Sequence, residues 1–269
     1  MNRLAATFNE LSQKKRKALI PFVTAGDPTQ DFTLQIMHAM VGAGADIIEL
    51  GVPFSDPMAD GPIIQRASER ALAHKMSLRK TLAIATEFRK TNGHTPIVIM
   101  GYLNPIEAFG YEKFAEAVKK ADIDGVLTVD LPPEEAHNCT LLLKKQGIDP
   151  IFLLAPNSSA ERVQKMNAVG SGYLYYVSLK GVTGAGHLDA NNVEKKLQEI
   201  RENTQLPIAI GFGIKDAQTA KIIANLGDGI VVGSALISHI EANLHNLTHA
   251  KEAIIELLTS IRHEMDQEL

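Results

Sequence analysis

The residues best able to do chemistry are two carboxylates. Glu49 sits between Ile48 and Leu50 in an apolar, β-type run, and Asp60 returns eleven residues later between Ala59 and Gly61. An unpaired acid at a core-facing position is costly. No Lys or Arg lies in the neighbouring apolar runs to pair with Glu49. Two acids in different surroundings hold different protonation states near neutral pH, so one can donate a proton while the other stays anionic. Asp56, in the same Gly/Pro-broken loop, is a third candidate. Asp56 and Asp60 could also cap turns, and Asp60-Gly61-Pro62 before Ile63 reads as a helix start.

Two glycine pairs add a second chemistry. Gly211-Phe212-Gly213 and Gly233-Ser234 each follow a short β-branched run. Without a Cβ, the backbone N–H groups there can approach an anion, and Ser234 can open a short helix whose N-terminus attracts negative charge. The stretch Gly181-Val182-Thr183-Gly184-Ala185-Gly186 is too glycine-rich for a plain connector and reads as a closing lid with a hydroxyl at its centre. It lacks the Lys-Ser/Thr pair of a nucleotide-binding P-loop, having His187-Leu188 there.

Other chemistries find less support. No lysine occupies a strand interior, which disfavours a Schiff base. No His/carboxylate set suggests a metal; His245 and His249 lie four apart without the Glu of His-Glu-x-x-His and read as helix surface. The one cysteine, Cys139, rules out internal disulfides and reads as inert. What remains is metal-free acid/base work by two carboxylates on a phosphorylated, partly apolar substrate.

The elements that must position these groups alternate from end to end. Strands are expected at Leu19–Val23, Ile47–Leu50, Ile97–Met100, Gly125–Val129, Ile151–Leu154, Tyr173–Val177, Ile208–Ile210 and Ile230–Val232. Amphipathic stretches such as Phe32–Ala43, Tyr111–Ala121, Pro133–Gln146, Asn192–Asn203 and Ala217–Leu226 lie between them, with flanking helices at Asn2–Lys15 and Asn246–Glu264. Near-continuous apolar strands fit a parallel sheet covered on both faces, and Pro96, Pro150 and Pro207 sit just before strands, where a missing N–H is tolerated. Eight such units in 269 residues are the arithmetic of an α/β fold, a (β/α)8 TIM barrel with an additional N-terminal helix, as one domain over residues 1–269. An open doubly wound sheet would call for Gly-x-Gly-x-x-Gly after the first strand, and Thr24–Pro28 does not fit it. Nearly every unusual residue falls at the C-terminal end of a strand, the rim where such barrels keep their active sites.

Composition bounds the partners. With 27 Lys and Arg against 31 Asp and Glu the chain is mildly acidic, which argues against nucleic acid and anionic membranes. The basic run Lys14–Lys17 reads as the solvated end of a helix. An N-terminal secretory pattern and a long apolar span are both lacking, so the expected compartment is cytoplasmic.

At these residues the chain resembles the tryptophan synthase alpha subunit. The matching pieces are Phe22–Pro28, Glu49–Pro57 with Ala59–Pro62, Met100–Asn104, Gly181–Ala185, Gly211–Ile214 and Val232–Ala235, in family order along essentially the whole chain. The resemblance implies a retro-aldol cleavage of indole-3-glycerol phosphate to indole and glyceraldehyde 3-phosphate. Glu49 would be the general acid/base, and Asp60 would bind the indole N–H and stabilise the positive ring tautomer. Phe22, Tyr102, Leu127, Leu153, Tyr175 and Phe212 would line the indole pocket. Gly184, Gly213, Gly233 and Ser234 would hold phosphate, and Thr183 would orient Asp60 as the lid closes. Loops with Pro53, Asp56 and Pro57, with Asn104 (Asn104–Phe109), and with Asp130 and Pro132 would meet a beta subunit in an alpha2-beta2 complex. No cofactor is expected on this chain; pyridoxal phosphate would belong to the beta subunit. Leu179-Lys180 occupies a lid position where many members carry an arginine.

Two other readings stay open at this point. A phosphoribosyl-type isomerase would use the same rim acids and phosphate loops, but would not need the apolar lining. A non-catalytic subunit that only activates a partner would not need both acids.

Overall fold

The computed structural model describes residues 2–177, 190–211 and 213–267, with the helix backbone alone at 190–192. Eight parallel strands form a closed barrel in chain order: β1 (Ala18–Thr24), β2 (Ile48–Gly51), β3 (Ile97–Gly101), β4 (Gly125–Thr128), β5 (Asp149–Leu154), β6 (Leu174–Val177), β7 (Ile208–Gly211) and β8 (Gly229–Val232). Pairing of β8 with β1, Gly229 opposite Ala18 through Val232 opposite Pro21, closes it. The expected (β/α)8 architecture is the one observed. Pro150 lies inside β5 as its second residue, because the strand starts at Asp149, two residues before the expected start at Ile151.

Around the barrel run α1 (Arg3–Gln13), α2 (Gln30–Gly42), α3 (Pro62–Ala73), α4 (Leu78–Arg89), α5 (Leu103–Phe109), α6 (Tyr111–Lys120) and α7 (His137–Lys145). They are followed by α8 (Ala160–Val169), α9 (Ala190–Arg201), α10 (Ala217–Ala224), α11 (Ser234–Ala242) and α12 (Leu247–Met265). Short polar side chains set many of their starts: Asn2, Thr29, Ser77, Ser159, Asp216 and Asn246 each accept a first-turn backbone N–H. α3 begins instead with Pro62, whose fixed φ suits a first helical position, after Gly61.

Two connections differ from expectation. Asn104–Phe109, read as loop, belongs to α5, because Asp130 Oδ1 on the next rim loop accepts the Leu103 N–H at 2.7 Å and caps the helix from outside. α7 starts at His137 rather than Pro133, since a turn closed by Glu135 N–H on the Pro132 carbonyl, 3.1 Å, comes first.

The bottom of the barrel is plugged by α1. A Cβ on Gly125 would meet the Leu4 side chain, and the Phe8 ring lies 5.7 Å from that of Tyr173. Polar contacts fix α1 there. Arg3 reaches Asp124 Oδ1 at 2.9 Å and pairs with Asp122, while Arg89 reaches Asp124 Oδ2 at 2.7 Å. With one end closed by side chains, the opposite rim is left for a ligand.

Candidate active site

Strand alternation decides what faces the barrel interior. Glu49 is in register with Phe22 on β1 and Val98 on β3, and is completely buried. Among the described residues its one hydrogen-bond partner is Tyr173, whose phenol donates to Glu49 Oε1 at 2.6 Å, and Oε2 is buried with no partner. Burial pushes the Glu49 carboxyl up to about 7, the Tyr173 bond pulling the other way. Burial and the adjacent acid also hold the Tyr173 phenol well above its ordinary range, so it remains a donor.

This arrangement has a stability consequence. An unfolded Glu ionises near 4.5, whereas the folded one holds its proton to about 7. Below 4.5 both states are protonated; between the two values only the unfolded state ionises, so wild-type stability falls as pH rises, by about 3 kcal/mol in all, and levels off above 7. Glu49→Gln has no such proton. We expect its unfolding free energy to exceed the wild type's by that order at pH 8, with the gap closing toward pH 4.5. Denaturant titrations across the range check this, and a gap independent of pH would refute it.

Asp60 stands above this layer on the β2–α3 loop. Tyr102 Oη donates to Asp60 Oδ2 at 3.1 Å and accepts the Ala59 N–H at 3.0 Å, while Gln65 Nε2 donates to the Asp60 carbonyl at 2.8 Å. Its carboxylate therefore caps no helix; Gly61 stands at the α3 start. Burial raises the Asp60 carboxyl to about 6, against the Tyr102 bond.

Asp60, Phe22 and Tyr102 line one small cavity together with Thr24, Gly51 and Met100. Thr24 Oγ1 is a second buried atom there with no partner among the described residues, and so an available donor or acceptor. Tyr175, on β6 with its ring buried, is held well above its ordinary range by burial and then by the charges of Glu49 and Asp60, so it stays a neutral phenol. Two glycines make room for these rings. A Cβ on Gly51 would strike Phe22, and one on Gly211 would strike the Tyr175 phenol. Leu127 is fully buried on β4 and Leu153 half-buried on β5, both two-residue steps along the interior face; neither lines the small cavity.

The phosphate candidates gather where β7 and β8 end side by side. Gly213 is exposed with φ +39, a conformation that favours glycine, and Ser234 is exposed as the first residue of α11, preceded by half-buried Gly233. Thr183, Gly184, Phe212 and the Leu179-Lys180 pair lie outside the described residues. Among the described residues no group of three or more His, Cys, Asp or Glu could hold a metal, and no helix is long and apolar enough to cross a membrane.

On the outer side of the rim, Asp56 is exposed and accepts the Ser55 hydroxyl at 2.5 Å, Pro53 is buried, Pro57 half-buried and Met58 is 78% exposed. Asn104 is exposed, whereas Asp130 and Pro132 are half-buried and Asp130 is engaged in capping α5. Sequence reasoning missed Tyr173, Thr24 and Gln65. Tyr173 is two residues from Tyr175 and so shares its face, a signal that was present; Thr24 and Gln65 gain their meaning only from the fold.

The family model for the tryptophan synthase alpha chain matches residues 8–268. The chain belongs to that family. Relatives named tryptophan synthase alpha chain include one from Methylococcus capsulatus, 59% identical over 99% of this chain and 100% of the relative, and one from Dechloromonas aromatica, 56% identical over 99% of each. The tryptophan synthase alpha subunit of Legionella pneumophila superposes with a TM-score of 0.93 at 43% identity, covering 99% of both chains. A chain from the Pyrococcus furiosus tryptophan synthase a2b2 complex gives 0.85 at 36%, covering 91% of this chain and 98% of that one.

Proposed function

We infer that the chain is the alpha subunit of a tryptophan synthase, a lyase that cleaves indole-3-glycerol phosphate into indole and glyceraldehyde 3-phosphate and works in complex with a beta subunit. Family membership over nearly the full length carries this. On the same reading residues 1–269 are one barrel domain acting in the cytoplasm, and pyridoxal phosphate belongs to the beta subunit alone.

Glu49 and Asp60 are proposed to do the chemistry. Protonated Glu49 gives its proton to the indole ring carbon that bears the side chain. The ring becomes a cation with its charge shared onto the ring nitrogen. Asp60, as carboxylate, accepts the ring N–H and stabilises that cation. Glu49, now an anion, takes the proton of the side-chain hydroxyl as the carbon–carbon bond breaks. The bonding pair returns to the ring, indole and the aldehyde leave, and Glu49 is protonated again. A carboxyl near 7 suits both halves of this cycle, because neither donation nor acceptance is far uphill at neutral pH. Phe22, Tyr102, Leu127, Leu153, Tyr175 and Phe212 are proposed to flank the ring. Gly184, Gly213, Gly233 and Ser234 hold the phosphate, and Thr183 steadies Asp60. Pro53, Asp56, Pro57, Asn104, Asp130 and Pro132 face the beta subunit. Exposed Met58 beside Pro57 supports that face.

The deciding experiment is indole release from indole-3-glycerol phosphate, slow by the isolated chain and faster with a beta subunit. Turnover of a phosphoribosyl aminoaldose but not of the indole compound would favour an isomerase and overturn the reading.

A further inference from the structure

The rim contains a charge network outside the groups just described. Arg70, on α3, forks onto Asp27 with Nε–Oδ1 at 2.7 Å and Nη2–Oδ2 at 2.9 Å, and reaches Glu241 Oε1 with Nη1 at 2.8 Å. Arg66, one helical turn earlier, forks onto the same Glu241 at 2.6 and 2.7 Å. The Asp27 side chain is fully buried, and Arg70 is 19% exposed. Two cations balance two anions, so the cluster has no charge left to hold an anion of its own.

What it joins gives it meaning. Asp27 lies on the turn after β1, its N–H bonded to the carbonyl of cavity-lining Thr24. α3 carries Gln65, which grips the Asp60 carbonyl, and Ile64 and Ser68, which line the cavity. Glu241 is near the end of α11, the helix opened by Ser234. Bidentate Arg–carboxylate pairs fix orientation as well as distance. Arg70 thus ties together the strand end behind Phe22, the helix behind Asp60 and the helix behind the phosphate loop.

We propose that Arg70, clamped to Asp27 and Glu241, is a positioning residue for the lyase reaction, holding α3 and through it Asp60 in fixed register with α11. This rests on the role given to Asp60 above. The link to chemistry is geometric. Asp60 must meet the ring nitrogen while the phosphate is seated on α11, and a displacement near 1 Å can cost about a hundredfold in rate.

The test is a double-mutant cycle in the complex with a beta subunit. Arg70→Gln strips the buried Asp27 of its cation and can fail through folding, so Glu241→Gln, which leaves the Asp27–Arg70 fork intact, is made beside it. Expected is a fall of about ten- to a hundredfold in kcat for indole release, with KM changed less than about threefold. In an Asp60→Asn background the same substitution should lower kcat less than about twofold, because its route to the reaction is already gone. An equal loss in both backgrounds, a loss confined to KM, or wild-type kcat in Glu241→Gln would overturn the proposal. Failure of the wild-type complex to release indole would instead overturn the function on which it stands.

Discussion

Glu49→Gln is expected to lower indole release by about 10³-fold or more, in the isolated chain and in the complex alike. General acid and base catalysis each contribute on the order of 10²–10⁴, and in the proposed mechanism one carboxyl serves both. Glutamine keeps the size and can still accept the Tyr173 hydrogen bond, but it has no proton to give and no basic oxygen to receive one. The loss should appear in kcat, with binding of a phosphate-bearing product analogue changed little. The same substitution raises stability at alkaline pH, so lost activity cannot be put down to unfolding. Turnover within tenfold of wild type would sink the assignment of Glu49.

Asp60→Asn is expected to cost about 10²–10³ in kcat, the range for removing one preorganised group aimed at developing charge. It also carries a signature in pH. In the proposed mechanism activity needs Asp60 ionised and Glu49 protonated. With carboxyls near 6 and 7, kcat/KM should rise through the lower value, as Asp60 loses its proton, and fall through the higher one, as Glu49 does. The two limbs are close and belong to the coupled pair as a whole. In Asp60→Asn the acidic limb should disappear while the alkaline limb stays. A variant that keeps both limbs would assign the acidic one to another group and remove Asp60 from the mechanism.

Much of the site was legible because parallel-barrel strands leave a strong trace. An apolar run such as Ile47–Leu50 tolerates a carboxylate only at a special position, so Glu49 stood out. Glycines at the ends of β7 and β8 mark close approach, so Gly213 and Gly233 stood out too. Helix starts were less legible. Ser77 and Ser159 cap α4 and α8, yet neither helix was given bounds from the amino-acid pattern, since a lone serine is also an ordinary loop residue. α5 could not be read locally: its cap, Asp130, arrives from a different loop.

By itself the amino-acid sequence determined the barrel, its eight strands in order, the two acids and the family. Periodicity and residue type are local properties, and the Glu49–Asp60 block carries them densely. Only the tertiary structure decided what state those acids are in. Burial beside the Tyr173 phenol sets Glu49 near 7; Tyr102, arriving from β3, holds Asp60; the Tyr175 phenol fits because Gly211 leaves it space. Each of these depends on residues far apart in the chain, and a proton's free energy depends on what surrounds it in space, not on what precedes it in sequence.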